Sequence, residues 1–333
     1  MEALQYVAVN APKKKPPIVV ICGPTGVGKT DFAVELAAAF DGEILGADSM
    51  QLYRRMDIGT AKPSPAQRSR IRHHLVDAAD PDEEFDAARY AREARAVVDT
   101  LLERGCLPFV VGGTGLYITA LLRGIFPSPR IEPAVRDRLA RRAEADGSPA
   151  MHQRLAEVDP EAAVRIHPND TFRILRALEV FEQTGRTITE LHRKHRFADV
   201  RYHALKIGLT ADREALYRRI DRRVDRMMAD GLLEEVRGLL AKGYPPSLKS
   251  MQSLGYRHMI DFLQGRCTLE EAVIQLKRDH RRYAKRQLTW FRADKETVWL
   301  GPEEEDRARE MIRRHIEDGP KSGAVGGGCG RLR

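Results

Sequence analysis

Gly23-Pro24-Thr25-Gly26-Val27-Gly28-Lys29-Thr30 has the residue types and the spacing to hold a diphosphate or triphosphate. It fits G-x-x-x-x-G-K-[ST], with the apolar run Pro17 to Cys22 before it and apolar residues at helical spacing, Phe32, Leu36 and Phe40, after it. That is strand, glycine loop and helix, the context the motif requires. The glycines let successive backbone N–H groups turn inward and the helix start adds partial positive charge, so the main chain and Lys29 share the anion. Gly23, Thr25, Gly26, Val27, Gly28, Lys29 and Thr30 are the diphosphate-binding candidates, and Thr30 is the expected ligand of a Mg²⁺ cofactor.

A hydrolase or kinase built on such a loop adds an acidic residue at the end of a second apolar strand to hold the metal. Leu107 to Val111 ends instead in Gly112-Gly113-Thr114-Gly115 and carries no Asp. The run Glu43 to Ala47 ends in Asp48-Ser49-Met50-Gln51, which places a carboxylate at a strand C-terminus, where ligands of parallel sheets collect. Asp48 reads as a metal ligand, a proton acceptor or a cap of the turn that follows. Thr114 reads as a contact to the ligand, as the N-cap of a helix from Leu116 onward, or as both.

Strand-like runs alternate with helices such as Glu84 to Arg104 between Pro17 and Leu122, the pattern of a mostly parallel sheet. The expected fold is α/β, a P-loop NTPase-like sheet flanked by helices and interrupted by an all-helical insertion. Residues 1–16, with Lys13-Lys14-Lys15, read as a disordered arm, 17–128 as the first part of the core and 129–199 as the insertion. A Pro-rich hinge, Gly124 to Pro129, opens that insertion, and its helices start after stops at Pro133, Pro149, Pro160 and Asn169-Asp170. Residues 200–302 return to the core with strands at His203 to Leu209 and Thr297 to Leu300. Residues 303–333 read as a helix end and a Gly-rich tail, with Met311 to Arg333 holding the end of the helix and the disordered tail after it.

Two late helices carry organised charge. On Asp212 to Asp230, Arg219, Arg222, Arg223 and Arg226 share a face; on Glu270 to Asp294, Arg278, Arg281, Arg282 and Lys285 do, with Leu276, Tyr283, Leu288 and Phe291 toward the other side. One such stripe means a solvated face; two beside a phosphate-binding core suit a polyanion that needs several phosphate contacts. The net charge of +8 permits that partner. No apolar stretch is long enough for a bilayer and the N-terminus has no signal-peptide h-region, so no membrane partner and a cytoplasmic location are expected. Four isolated cysteines and ten histidines without ligand spacing argue against a zinc site, and a monomer is the default.

Taken in order, these residues resemble the bacterial tRNA dimethylallyltransferases, also called tRNA isopentenyltransferases, from about Ile18 to Leu300. The resemblance is carried by Gly23 to Thr30, DSMQLYRRMDIGTAKP from Asp48 to Pro63, HHLVD from His73 to Asp77 and GGTGLYI from Gly112 to Ile118. It continues in NDTFRILRALEV from Asn169 to Val180, SLGYRHMI from Ser253 to Ile260 and KRQLTWFR from Lys285 to Arg292. It implies transfer of the dimethylallyl group from dimethylallyl diphosphate to N6 of an adenosine beside the anticodon, with pyrophosphate leaving. It also implies Asp48 as the proton acceptor, Thr114 as a catalytic residue near the diphosphate or the adenine, and Arg223 as the arginine on the diphosphate, with Arg219 and Arg222 as neighbours on the same face. The partner it implies is a tRNA anticodon stem-loop, clamped by the helical insertion. The positions matching its tRNA contacts are Asp48, Ser49, Met50, Gln51, Thr114, Arg136, Phe172, Arg173, Ile174, Leu175, Arg176, Gln252, Ser253, Leu254, Gly255, Tyr256 and Arg257. Phe172 reads equally as helix core with Ile174, Leu175 and Leu178. A prenyltransferase of free adenine nucleotides and a small-molecule P-loop kinase are the rival readings.

Overall fold

The computed structural model describes residues 15–125, 129, 131–195 and 199–317. Its strands are β1 (Pro17–Cys22), β2 (Glu43–Gly46), β3 (His73–His74), β4 (Pro108–Gly112), β5 (His203–Leu209) and β6 (Val298–Leu300). They form one sheet in the order β3-β2-β4-β1-β5-β6, and every pairing among the described residues is parallel. β1 lies at the centre, registered Val19 to Phe109 and Cys22 to Gly112 on one side and Ile207 to Ile21 on the other. Its run of Ile18, Val19, Val20 and Ile21 is wholly buried because helices cover both faces, and so it shows no alternation.

The helices of the first half are α1 (Lys29–Ala39), α2 (Pro65–Arg70), α3 (Ala87–Glu103) and α4 (Gly115–Arg123). α5 (Pro133–Val158), α6 (Pro160–Arg165), α7 (Thr171–Thr184) and α8 (Ile188–His195) follow without a strand between them among the described residues. After β5 come α9 (Arg213–Ala229), α10 (Leu232–Ala241), α11 (Tyr256–Leu263) and α12 (Leu269–Arg292), and α13 (Glu305–Glu317) follows β6. The chain divides into two compact units: one runs to Leu122 and resumes at Arg201, the other is Arg123–Val200.

The sheet unit's main core gathers Val19, Ile21, Leu36, Phe109, Ile207, Leu216 and Ile220. The helical unit has its own, built on Leu139, Met151, Leu155, Ile174 and Leu178. Within α5 the backbone leaves helical geometry at Gly147 (φ 79°, ψ 162°), so the expected stop at Pro149 is a kink with Pro149 opening the second half. α8 carries no proline or Asn-Asp start signal and was not anticipated. The two-residue strand at His73–His74 was not either, since two residues show no period. α13, Glu305 to Glu317, includes the helix end read from Met311 onward, and its Ala308 and Ile312 are wholly buried. Residues 1–14 of the expected N-terminal arm, Phe126 to Ser128 of the hinge and the Gly-rich tail from Asp318 lie outside the described residues.

Candidate active site

The glycine loop, Gly23 to Gly28, joins β1 to α1. Gly23 (φ 140°) packs so closely on the end of β5 that an added Cβ would lie 2.6 Å from the Leu209 carbonyl oxygen, and Gly28 enters α1 at φ 103°. Lys29 arches back over the loop, its Nζ donating to the Pro24 carbonyl at 2.8 Å. Burial lowers its ammonium to about 8; the charge of Arg223 acts in the same direction and that of Asp48 opposes both.

α9 brings the arginines to this loop. Its Asp212 cap accepts from Glu214 N and Ala215 N, and the stripe Leu216, Ile220, Val224 and Met227 is buried. Ile220 shares the core with Val27 of the loop, so the flanking arginines are carried along the glycine loop. Arg219, Arg222, Arg223 and Arg226 all line one cavity with Lys29 and Thr30. The three candidates for the diphosphate differ. Arg219 donates to the Val27 carbonyl at 3.3 Å and Arg222 is exposed. Arg223 reaches the Thr60 carbonyl at 3.5 Å, and its Nε is buried without a partner. Burial lowers the Arg223 guanidinium below its usual range, with Asp48 opposing. A buried donor of a cation, left unpaired, is the group that gains most from an incoming anion.

Asp48 follows the C-terminus of β2 and lines the same cavity. Its Oδ1 accepts from Met50 N at 2.9 Å and Gln51 N at 3.3 Å, so it caps its turn as one reading held. A carboxylate has acceptor capacity left after that. Thr114 Oγ1 accepts from Ser49 N at 3.0 Å, while its carbonyl accepts from Tyr117 N at the start of α4. The Thr114 hydroxyl therefore ties down the Asp48 turn, and the helix start is served by backbone. Gln51 Nε2 donates to the Thr60 and Ala61 carbonyls, and Glu235 on α10 accepts from Asp57 N, Ile58 N and Gly59 N. The cavity wall at 57–61 is thus held by two side chains from elsewhere in the chain.

The cavity measures about 1410 Å³ and lies wholly within the sheet unit, with Gln252, Ser253, Leu254 and Arg257 on its wall. Tyr256 does not join them: it is wholly buried and its hydroxyl donates to Glu235, because α11 turns that position onto α10. α12 adds four wall residues, His280, Tyr283, Arg286 and Gln287, none of them expected as site residues from the sequence. His280 is 6 % exposed with Nε2 unpartnered, and burial, with Arg223 next, lowers its imidazole to about 3. Tyr283, expected on the apolar side, lines the cavity beside Gln287. The available signal was a polar residue recurring on the buried stripe Leu276, His280, Ala284, Gln287 and Phe291.

In the helical unit, Phe172 is 81 % exposed, which decides against the core reading. Ile174 is 0 % exposed, so its side chain is core and not contact surface; Leu175 packs partly against the same core. Arg136 and Arg176 both pair with Glu179, at 3.7 and 3.0 Å, and Arg173 pairs with Asp170 at the start of α7.

The sequence matches the IPP transferase family over residues 51–294. It is 55% identical over 306 residues to a tRNA dimethylallyltransferase of Desulfosudis oleivorans, covering 92% of this chain and 98% of that one. It is 58% identical to one of Syntrophobacter fumaroxidans, covering 85% and 83%. The crystal structure of a tRNA isopentenylpyrophosphate transferase from Bacillus halodurans superposes with a TM-score of 0.68 at 40% identity, over 92% of this chain and 98% of that one. A eukaryotic dimethylallyltransferase acting on tRNA superposes at 0.76 and 27% identity, over 92% and 81%. With the glycine loop, the strand-end carboxylate and the buried arginine in one cavity and these matches running nearly end to end, the chain belongs to the IPP transferase family.

Proposed function

We propose that the protein transfers the dimethylallyl group of dimethylallyl diphosphate to N6 of the adenosine beside the anticodon of tRNA, releasing pyrophosphate. The observation that carries this reading is the meeting of two half-sites in one cavity: an anion cradle with Lys29 and Arg223, and the Asp48 carboxylate.

In the reaction the allylic C–O bond breaks, an N6–C bond forms, and the amine proton passes to a base. Charge develops on the diphosphate as the C–O bond lengthens, so donors fixed beforehand stabilise the transition state more than the ground state. The loop N–H groups other than that of Thr25, which donates to Gln287 Oε1, together with Lys29 and the free Nε of Arg223, are such donors. An exocyclic adenine amine is a weak nucleophile, and Asp48 accepts its proton during attack. Thr114 keeps that carboxylate in place through Ser49 N.

Among the described residues no group of three or more His, Cys, Asp or Glu side chains could hold a metal. That donor set fits Mg²⁺ held chiefly by the substrate's own diphosphate, with the Thr30 hydroxyl as the protein ligand. When bound there it neutralises charge on the leaving oxygens.

RNA recognition by the exposed Phe172 and Arg173 has the chemistry of single-strand binding, an aromatic face beside a cation. Arg136 and Arg176 add charge to the same unit, and Ser49, Met50, Gln51, Gln252, Ser253, Leu254 and Arg257, which line the cavity, would meet the adenosine. No described helix is long and apolar enough to cross a membrane.

The test is direct. Purified protein, Mg²⁺, dimethylallyl diphosphate and unmodified tRNA are mixed, and the digested RNA is examined by mass spectrometry for an adenosine heavier by one dimethylallyl group. The expected product appears with tRNA and not with AMP. Prenylated AMP would turn the reading to free nucleotides, and ATP consumption with no prenylated product would refute it.

A further inference from the structure

Beyond Cys22 and Gly112, where the pairing of β1 with β4 ends, the two chains part into the diphosphate loop and the Gly113-Thr114 turn. Gln287 spans the gap. It is 5 % exposed on the buried stripe of α12. Its Oε1 accepts from Thr25 N at 2.8 Å and its Nε2 donates to the Gly113 carbonyl at 2.9 Å. Both ends of the amide are therefore occupied by backbone, one in each loop.

The contacts continue without a break. Thr114, next after Gly113, donates its N–H to the Ala47 carbonyl at 3.0 Å, and its Oγ1 accepts from Ser49 N at 3.0 Å. Ala47 and Ser49 flank Asp48. An unbroken chain thus runs from the loop that holds the leaving group to the carboxylate that takes the proton. The glycine at 113 belongs to this arrangement, because a Cβ there would lie 2.1 Å from Gln287 Nε2.

A buried amide costs free energy unless all of its groups are paired, and an apolar side chain would fill this stripe position without that requirement. Gln is present where the two loops need a two-ended connector. We propose that Gln287 is a positioning residue for prenyl transfer, fixing the diphosphate loop against the Gly113–Thr114 turn and hence against Asp48. Both ends of its amide are spent on backbone, so it acts through the two loops although it lies on the cavity wall. It sets the separation between the departing oxygen and the base, a distance to which the rate is steeply sensitive: a misplacement of about 1 Å can cost on the order of 10²-fold.

The inference rests on the prenyl-transfer reading above. Gln287→Met removes both hydrogen bonds at nearly constant length, and Gln287→Glu keeps an acceptor for Thr25 N but loses the donor to Gly113. Gly113→Ala pushes on the same amide from the other side. The rate constant is measured in a single turnover with enzyme in excess over tRNA and with saturating dimethylallyl diphosphate, so that the folded fraction changes the amplitude and not the constant. Pyrophosphate and tRNA affinities are measured separately by equilibrium binding.

The expected result is a loss of on the order of 10²-fold in the rate constant of all three variants, with both dissociation constants within about threefold of wild type, an effect on orientation and not on uniform binding. A wild-type rate constant in Gln287→Glu overturns the proposal, whether or not Gln287→Met folds, because the connection to Gly113 would then be dispensable. A loss that appears wholly as weaker pyrophosphate binding, with the rate restored at saturation, overturns it too. A wild-type protein that modifies no tRNA would instead remove the reading beneath it.

Discussion

Arg223, proposed above as a donor to the diphosphate, carries a buried Nε without a partner, and replacing it with Met separates its effect on stability from its effect on binding. Its guanidinium is driven below its usual range by burial despite Asp48, which means that the folded environment as a whole disfavours the cation. Its buried Nε has no partner, an omission that costs about 1–3 kcal/mol. Met keeps the apolar stem and removes the orphan donor. The ligand-free variant should therefore gain about 1–2 kcal/mol, a rise in Tm of a few degrees at about 2–4 °C per kcal/mol for a large domain. Pyrophosphate should act in the opposite sense. At a concentration near 100 times its Kd it stabilises the wild type by about 2.7 kcal/mol. Losing one hydrogen bond to a charged group, about 1.5–3 kcal/mol, would weaken binding roughly 10- to 150-fold. The same concentration would then stabilise the variant by only about 0.3–1.3 kcal/mol. Thermal unfolding of both proteins against a pyrophosphate titration checks this: the variant starts higher and the wild type rises more steeply with pyrophosphate. A lower ligand-free Tm in the variant, or an undiminished pyrophosphate shift, would refute the reasoning. Transfer activity should fall on the order of 10²-fold or more in the same variant, as when an oxyanion donor is removed.

Three other outcomes follow from the geometry. Asp48→Asn retains an Oδ1 acceptor for Met50 N and Gln51 N, so its Tm should match wild type while the single-turnover rate drops about 10²- to 10⁴-fold with tRNA binding intact. Phe172→Ala should leave stability within about 0.5 kcal/mol, since the ring is exposed, but weaken tRNA binding by about 1–3 kcal/mol if it stacks on a base; a large drop in Tm would return the residue to the core. His280, lowered to about 3 in the fold, stays neutral while the unfolded chain takes up its proton below about 6.5. Stability should accordingly fall as pH drops from about 6.5 toward 3, by up to ~1.4 kcal/mol per pH unit from this group. Urea unfolding at pH 6.5 and 4.5 should show a shallower acid loss in His280→Gln, and equal slopes would contradict its neutral burial.

What was legible in the sequence and what was not divide along a physical line. The diphosphate loop and Asp48 were readable because their signals are local: glycines at fixed spacing between a strand and a helix, and a carboxylate at a strand end. β1 and β5 were bounded correctly for the same reason, as short apolar runs between turn residues. Glu235 and Gln287 were not readable, because what they bind is backbone far away in the chain. The helical period still held information that was left unused. Phe172 stands two residues before Ile174, roughly 200° around a helix of 3.6 residues per turn, so the two cannot share a buried face. Ile174 packs with Ala177 and Leu178, which leaves Phe172 on the far side, in solvent. On α12 the same argument runs in reverse: His280 and Gln287 fall on the stripe of Leu276, Ala284 and Phe291, where apolar residues would pack at lower cost. A large apolar residue off the stripe and polar residues on it are both departures from what folding alone favours, and such departures are expected at functional sites. Here they single out an exposed aromatic side chain in one unit and, in the other, an amide that joins two loops of the cavity.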